Sequence, residues 1–189
     1  MKLSLSRRLF GNCLASSFLV TSFSSFADEK SNQESIEHIQ RSSSPFLLPP
    51  IEIADSSQNP VSLTHWRGKP FLLHLWATWC GPCRQELLEI DRVYYELGET
   101  ANDIVPIACR SGDAEKIRGY YKQIGITHLP VYTDQGGKID RDLQKITNIP
   151  PAYPTTLIIN SQFNVIAQHS EELLWSANGV RNALKNAAL

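Results

Sequence analysis

The stretch from Leu75 to Ile90 reads LWATWCGPCRQELLEI and places two cysteines where a run of apolar residues meets an amphipathic segment. The preceding run, FLLHLWA at residues 71–77, is apolar on both faces except at His74, which is typical of a central strand covered by helices on both sides. Apolar residues then continue the line of Cys83 at helical spacing: Leu87, Ile90, Tyr94 and Leu97. We therefore predict a buried strand, a helix, and a cysteine pair at their junction.

Strand-like and helical patterns alternate along the rest of the chain. Residues 50–63 predict a short hairpin around Asn59 and Pro60. The later predicted elements are a strand at Ile104–Ala108, a helix at Asp113–Ile124, a strand at Leu129–Thr133, a helix at Lys138–Thr147, paired strands at Thr155–Ile159 and Asn164–Gln168, and a helix at Glu171–Ala188. This alternation predicts an α/β fold in which a central sheet is flanked by helices.

The first 27 residues have the pattern of a bacterial export signal. Basic residues precede a mildly apolar run, and Ser25, Phe26 and Ala27 precede the first acid, so we expect cleavage after Ala27. The segment SRRLF also fits a twin-arginine signal, and an uncleaved signal would act as a membrane anchor. Residues 28–48 are mostly polar and rich in serine, which predicts a flexible linker before a single domain at residues 49–189.

The net charge and the number of cysteines limit the classes of function that the mature chain could have. Removing residues 1–27 takes away three of the 18 basic residues and none of the 19 acidic ones, which leaves a net charge of −4. Such a balance gives no reason to expect nucleic acid as a partner. Removal of Cys13 with the signal leaves three cysteines, Cys80, Cys83 and Cys109, which is an odd number.

The pair Cys80 and Cys83 could form a structural disulfide, bind a metal, or exchange electrons. A disulfide across so short a loop restricts the unfolded chain little, and a metal site would need further ligands at suitable spacing. At the start of a helix, by contrast, free N–H groups and the helix dipole lower the pKa of a thiol such as Cys80. Cys83 lies one turn further along and is expected to be less exposed. The pattern favours redox chemistry.

The segments RGKPFLLHLWATWCGPCRQELLEI and YPTTLIIN resemble the thioredoxin superfamily, and in particular its exported TlpA/ResA branch. The resemblance runs from about Pro50 to the C-terminus. It implies a thioredoxin-like fold with an extra strand and helix inserted within residues 113–147. It also implies thiol:disulfide exchange in the periplasm, serving cytochrome c maturation or the assembly of copper centres.

The resemblance also implies roles for individual residues. Cys80 would be the attacking thiol, Cys83 the resolving thiol that forms a disulfide with it, and Pro154 a cis-proline facing the pair. Glu86 would assist proton transfer at Cys83. Client-binding positions would be Trp79, Gly81, Pro82, Tyr153 and Thr155. Two plainer interpretations remain open: Pro154 merely ends the loop PPAYP, and Glu86 is a solvated first-turn glutamate.

Two further residues have uncertain roles at this point. His74 occupies a position where the family carries aspartate or asparagine, so it is either a proton relay to Cys83 through a water or a core histidine bonded to a neighbour. Cys109 is either a small buried hydrophobe or the partner in a regulatory or intermolecular disulfide. Trp76, by alternation along its strand, is expected to pack in the core.

We expect a monomeric periplasmic reductase that needs no bound cofactor or metal, acts on client proteins with disulfides, and is re-reduced by a membrane-bound electron donor. Two rival functions use the same residues. A dithiol oxidase would run the exchange in the opposite direction. Strongly oxidising relatives carry a histidine between the two cysteines, whereas this chain has Gly81 and Pro82 there. A copper-binding thioredoxin-like carrier would need three residues between its cysteines rather than two.

Overall fold

The computed structural model of the chain describes residues 33–188. The predicted export signal at residues 1–27 and the first residues of the predicted linker lie outside this range. The strands are β1 (Glu34–Ser35), β2 (Arg41–Leu47), β3 (Glu52–Ala54), β4 (Pro60–Ser62), β5 (Phe71–Trp76), β6 (Ile104–Cys109), β7 (Tyr132–Asp134), β8 (Thr155–Ile159), β9 (Asn164–His169) and β10 (Leu173–Leu174). The helices are α1 (Gly81–Leu97), α2 (Ala114–Ile124), α3 (Lys138–Thr147) and α4 (Ala177–Ala187), with short 3₁₀ helices at Ile36–His38, Leu63–Trp66 and Gly98–Asp103.

Within the described range, eight strands form one mixed sheet in the order β2-β9-β8-β5-β6-β7-β3-β4. The central strand β5 runs parallel to β6 and antiparallel to β8. All six residues of β5 are buried, as predicted from its apolar faces. The predicted α/β fold, a central sheet flanked by helices, is therefore confirmed.

Alternate residues of β5 face two separate parts of the core. Leu72 and Trp76 pack on the side that holds α1, α2 and α4, whereas Leu73 and Leu75 pack on the side that holds α3. This arrangement follows from the two-residue period of a strand, which sends neighbouring side chains to opposite faces of a sheet. Trp76 is fully buried, as predicted, and stacks on Tyr120 and Tyr121.

The prediction of a flexible linker across residues 28–48 is wrong from Glu34 onward. Strand β2 pairs antiparallel with β9 at the edge of the sheet, β1 pairs in parallel with β10, and Ile36 is fully buried. The side chains of β2 are mostly exposed, so its serines face solvent while its backbone bonds to the sheet edge. The polar composition therefore gave no sign of the pairing, because backbone hydrogen bonds need no particular side chain.

The prediction of one helix across Glu171–Ala188 is also wrong at its start. The chain first forms β10, and α4 begins only after Ser176, whose hydroxyl accepts a hydrogen bond from the Gly179 N–H. A serine at this position satisfies one of the free N–H groups of a helix start. The two residues of β10 instead find their backbone partners on β1.

The remaining predicted elements are present with small shifts. The hairpin forms between β3 and β4, and residues 113–147 contain α2, β7 and α3, so the inserted strand and helix are there. The predicted strand at Leu129–Thr133 begins later, at Tyr132. Among the helices of residues 33–188, none combines the length and the apolar character that a membrane span requires.

Candidate active site

Cys80 and Cys83 lie where β5 leads into α1, and they form a disulfide with an S–S distance of 2.05 Å and a Cα–Cα distance of 5.4 Å. Cys80 is 7% exposed and Cys83 is fully buried. The predicted order of exposure is therefore confirmed. An attacking partner from solvent meets the sulfur of Cys80 first.

The first turn of α1 surrounds the outer sulfur with positive charge density. Cys80 is the N-cap residue, and its Sγ accepts a hydrogen bond from the Cys83 N–H at 3.2 Å. Gly81 and Pro82 follow and are both exposed, and the proline costs no hydrogen bond because N–H groups in the first turn have no helical partner. The helix dipole and these N–H groups stabilise a thiolate at Cys80 when the disulfide is open.

An aromatic rim borders the disulfide. Trp79 is 65% exposed, and its ring meets that of Tyr153 edge-on, with centroids 5.5 Å apart. Tyr153 is joined to Pro154 by a cis peptide bond, which confirms the predicted cis-proline. Because Leu75 pairs with Thr155, the proline loop lies at the end of β5 that leads to Cys80. The structure thus brings Trp79, Tyr153 and Pro154 to one side of the disulfide.

Thr155 does not present its side chain to this rim. It is only 5% exposed, and its hydroxyl donates to the Ala152 carbonyl oxygen and lies 3.0 Å from the Ser170 hydroxyl. The predicted client-binding role can therefore involve its backbone alone. Its hydroxyl instead stabilises the loop that carries the cis-proline.

Glu86 lies one turn after Cys83 and is only 3% exposed, so it is not a solvated glutamate. Its Oε1 accepts a hydrogen bond from the Trp175 Nε1–H at 2.6 Å and one from the Leu173 N–H at 3.4 Å. Burial raises the pKa of Glu86 to about 8, an effect that the hydrogen bond from Trp175 opposes. A carboxyl group with this pKa can both give and take a proton near neutral pH.

His74 is fully buried on β5, and its Nδ1 lies 3.0 Å from the Thr156 hydroxyl. Burial lowers its pKa to about 3, so the imidazole is neutral near pH 7. Its ring also meets that of Trp175 edge-on, with centroids 5.7 Å apart. The structure therefore places His74 beside the residue that contacts Glu86, and its hydrogen bond goes to Thr156. A relay from His74 to Cys83 stays a prediction.

Cys109 lies apart from the disulfide, in the core on the α3 side of the sheet. Burial raises the pKa of its thiol well above the ordinary value, so it is a poor nucleophile. These surroundings agree with the buried-hydrophobe interpretation.

Two contacts at the site, between Trp175 and Glu86 and between Asp140 and Tyr153, were not predicted from the sequence. Trp175 fell within a segment predicted as helix, and nothing in the local pattern connected it with Glu86. Asp140, on α3, is 2% exposed and accepts hydrogen bonds from the Tyr153 hydroxyl at 2.5 Å and from Arg110 Nε at 2.7 Å. The inserted helix therefore holds the residue that precedes the cis-proline. Nothing in the local pattern of the helix connected Asp140 with Tyr153.

Solved structures share this fold. A thiol:disulfide interchange protein of the thioredoxin family from Chlorobium tepidum TLS has a TM-score of 0.58 at 21% identity, and the match covers 77% of this chain and 98% of that one. A secreted thiol-disulfide isomerase from Corynebacterium glutamicum has a TM-score of 0.59 at 18% identity, covering 77% and 92%. These likenesses confirm the predicted thioredoxin-like fold, which carries its disulfide at the start of the first long helix.

The chain belongs to the Redoxin family, whose model matches residues 42–184. Among similar proteins, the thiol-disulfide oxidoreductase ResA of Oceanobacillus iheyensis is 32% identical over 96 residues, which cover 51% of this chain and 48% of that protein. ResA of Bacillus subtilis strain 168 is 27% identical over 119 residues, covering 62% of each. The chain thus spans about half to two thirds of the length of these relatives.

Proposed function

We propose that this chain is a thiol:disulfide oxidoreductase of the bacterial periplasm that reduces disulfides in client proteins. The observation that carries the proposal is a disulfide in which Cys80 keeps 7% exposure and Cys83 is fully buried, with a buried carboxyl of raised pKa one turn away at Glu86. The aromatic rim and the cis-proline provide a face for an extended client segment. Similar proteins named thiol-disulfide oxidoreductases support the assignment.

The exchange starts from the dithiol form. The Cys80 thiolate attacks one sulfur of a client disulfide, which forms a mixed disulfide and releases the other client sulfur as a thiolate that takes up a proton from solvent. Cys83 then passes its proton to Glu86, which keeps it, and attacks the Cys80 sulfur, so that the second client thiolate leaves and also takes up a proton from solvent. The client has gained two electrons and two protons, and the pair has become the disulfide seen in the structure.

The direction of the exchange rests on the residues between the cysteines. Gly81 and Pro82 place no cation beside the Cys80 sulfur, so the dithiol form is not stabilised as it is in strong oxidases. We expect a reduction potential nearer to about −270 mV, as in thioredoxin, than to about −120 mV. Equilibration with glutathione buffers measures it, and a midpoint above about −150 mV would reverse the direction proposed here.

The predicted export signal at residues 1–27 supports a periplasmic location for the proposed reductase. A periplasmic reductase has no cytosolic thiol pool to draw on, so a membrane-bound electron donor must restore the dithiol. Proteins with paired cysteines that must stay reduced, such as apocytochromes c or copper-assembly factors, fit as clients.

Trapping the mixed disulfide tests both the function and the roles of the cysteines. The variant Cys83→Ser, with Cys109→Ser to remove the third thiol, should accumulate covalent adducts in the periplasm that dithiothreitol releases, because no second thiol can expel the client. The matched variant Cys80→Ser should trap far fewer, since the remaining thiol is buried. Mass spectrometry of the released proteins identifies the client class. Equal trapping would mean that the nucleophile is wrongly assigned, and no trapping by either variant would contradict the function.

A further inference from the structure

The hydrogen bonds to Glu86 are unevenly shared between its two oxygens. Oε1 accepts both the Trp175 Nε1–H and the Leu173 N–H, whereas Oε2 is buried and has no hydrogen-bond partner among residues 33–188. Trp175 is 3% exposed, so no solvent replaces this donor, and the distance of 2.6 Å is short for an N–H···O contact. An oxygen that already receives two N–H groups is the natural carbonyl oxygen of a protonated carboxyl.

From this asymmetry we propose that Trp175 is a positioning residue for proton exchange at Glu86. Its indole N–H holds Oε1 as the hydrogen-bond acceptor and so leaves Oε2 as the oxygen that gains and loses the proton shared with Cys83. The same hydrogen bond determines how easily Oε2 loses that proton. The proposal deepens the function proposed above and rests on it for the exchange step. When the disulfide opens, Oε2 gives its proton to the departing Cys83 thiolate, and when the disulfide closes, Oε2 takes that proton back.

The segment that carries both donors is firmly placed. Leu173 and Leu174 form β10, whose backbone pairs with β1. Next to β1, Ile36 packs so closely on α4 that a Cβ at Gly179 would lie 2.8 Å from its Cγ2. Because β10 is held on one side by β1 and leads into α4 on the other, the indole of Trp175 has little freedom to leave the carboxyl.

The charges near the carboxyl favour its protonated form, which makes the indole donor important. Glu89 on α1 and Glu172 just before β10 both raise the pKa of the buried carboxyl. On β5, the neutral His74 contacts the ring of Trp175 and adds no charge. On β1, the carboxylate of Glu34 lies 3.1 Å from His169 Nδ1. The hydrogen bonds from Leu173 and Trp175 thus counter only part of the rise in the Glu86 pKa that burial and these two acids cause.

The central experiment is a titration of the Glu86 carboxyl carbon by NMR in the full chain, with the disulfide intact. Trp175→Phe keeps an aromatic ring but removes the donor, so the pKa of Glu86 should rise, corresponding to an ionisation constant about tenfold smaller. The matched control is Trp66→Phe, which removes another buried indole whose N–H donates to the Asn102 carbonyl oxygen on a different part of the core. That control should leave the titration unchanged.

A second measurement needs no tryptophan variant. In the wild-type chain the Nε1–H resonance of Trp175 should move with the ionisation of Glu86, at a midpoint near pH 8, and Glu86→Gln should abolish that movement. The resonance of the exposed Trp79 should stay constant over the same range. This result decides the contact even where Trp175→Phe fails to fold.

The exchange assay then separates positioning from packing. Trp175→Phe should shift the pH profile of mixed-disulfide resolution to higher pH and should have little further effect in the Glu86→Gln background. An unchanged pKa of Glu86, or a rate loss that persists in that background, would overturn the proposal. A wild-type chain without exchange activity would refute the proposed function, while the two titrations would still decide whether Trp175 controls the ionisation of Glu86.

Discussion

Replacing Glu86 by glutamine should remove a large pH dependence from the stability of the disulfide form. The pKa of Glu86 is about 8 in the folded chain against an ordinary value of 4.5, and the side chain is only 3% exposed, so solvent screens this difference little. A group whose pKa is raised by folding favours the folded state fully below its ordinary pKa. That contribution is lost as the pH rises through the folded value.

The size of the effect follows from the two pKa values. At about 1.4 kcal/mol for each pH unit between them, the free energy of unfolding should fall by about 5 kcal/mol from below pH 4.5 to above pH 8 on account of Glu86 alone. Glutamine resembles the protonated acid, because its carbonyl oxygen can still accept the Trp175 N–H and it carries no charge. The variant should therefore keep its stability over this range.

Urea denaturation without reductant at about pH 5 and about pH 9 measures the difference, with the m-value checking that the transition is unchanged. Between these two pH values, the free energy of unfolding of the wild type should fall by most of the ~5 kcal/mol more than that of Glu86→Gln. A matched control is Glu96→Gln on the same helix, where the side chain is 48% exposed and pairs with Arg92 at 3.8 Å. This control should behave as the wild type does. Parallel losses in the wild type and Glu86→Gln would show that Glu86 ionises in its ordinary range, and the proton-transfer role would then lose its physical basis.

Three other changes test separate parts of the structure. His74 has a pKa of about 3 in the folded chain against an ordinary value of 6.5, so its contribution to stability is complete above pH 6.5 and is lost as the pH falls toward 3. In urea denaturation, His74→Asn should therefore reduce the loss of unfolding free energy between pH 6.5 and pH 3. If His74 relays a proton to Cys83, the same variant should slow mixed-disulfide resolution in stopped-flow assays. Identical pH profiles for the wild type and the variant would show that His74 serves only to pack the core. Asp140→Asn weakens the hydrogen bond that holds the Tyr153 hydroxyl, so KM for a peptide disulfide should rise about tenfold while the rate on a small disulfide stays unchanged. An unchanged KM would exclude the inserted helix from client binding. Ile36→Ala should cost about 2–5 kcal/mol in the free energy of unfolding whereas the exposed Ser43→Ala costs little, and equal small losses would restore the linker interpretation.

Much of the fold and the centre of the site could be predicted from short stretches of sequence. The apolar run of β5, the helical spacing after Cys83 and the two-residue gap between the cysteines are local patterns, so they place a cysteine pair at a strand–helix junction without knowledge of the rest of the chain. The cis-proline was predicted from a resemblance of motif, and the structure contains it. The raised pKa of Glu86 was not predictable, because one turn of helix does not reveal what covers it.

Contacts between distant segments were decided by the tertiary structure alone. Strand β2 is held by backbone bonds to β9, which its serine-rich side chains could not indicate. Trp175 meets Glu86 from 89 positions away, and Asp140 meets Tyr153 only because α3 packs beside the proline loop. Periodicity tells which side of an element faces the core, but the partner found there depends on how the separate elements align. Cys80 and Cys83 therefore follow from the sequence, whereas the surroundings that control their protons follow from the packing of the whole sheet.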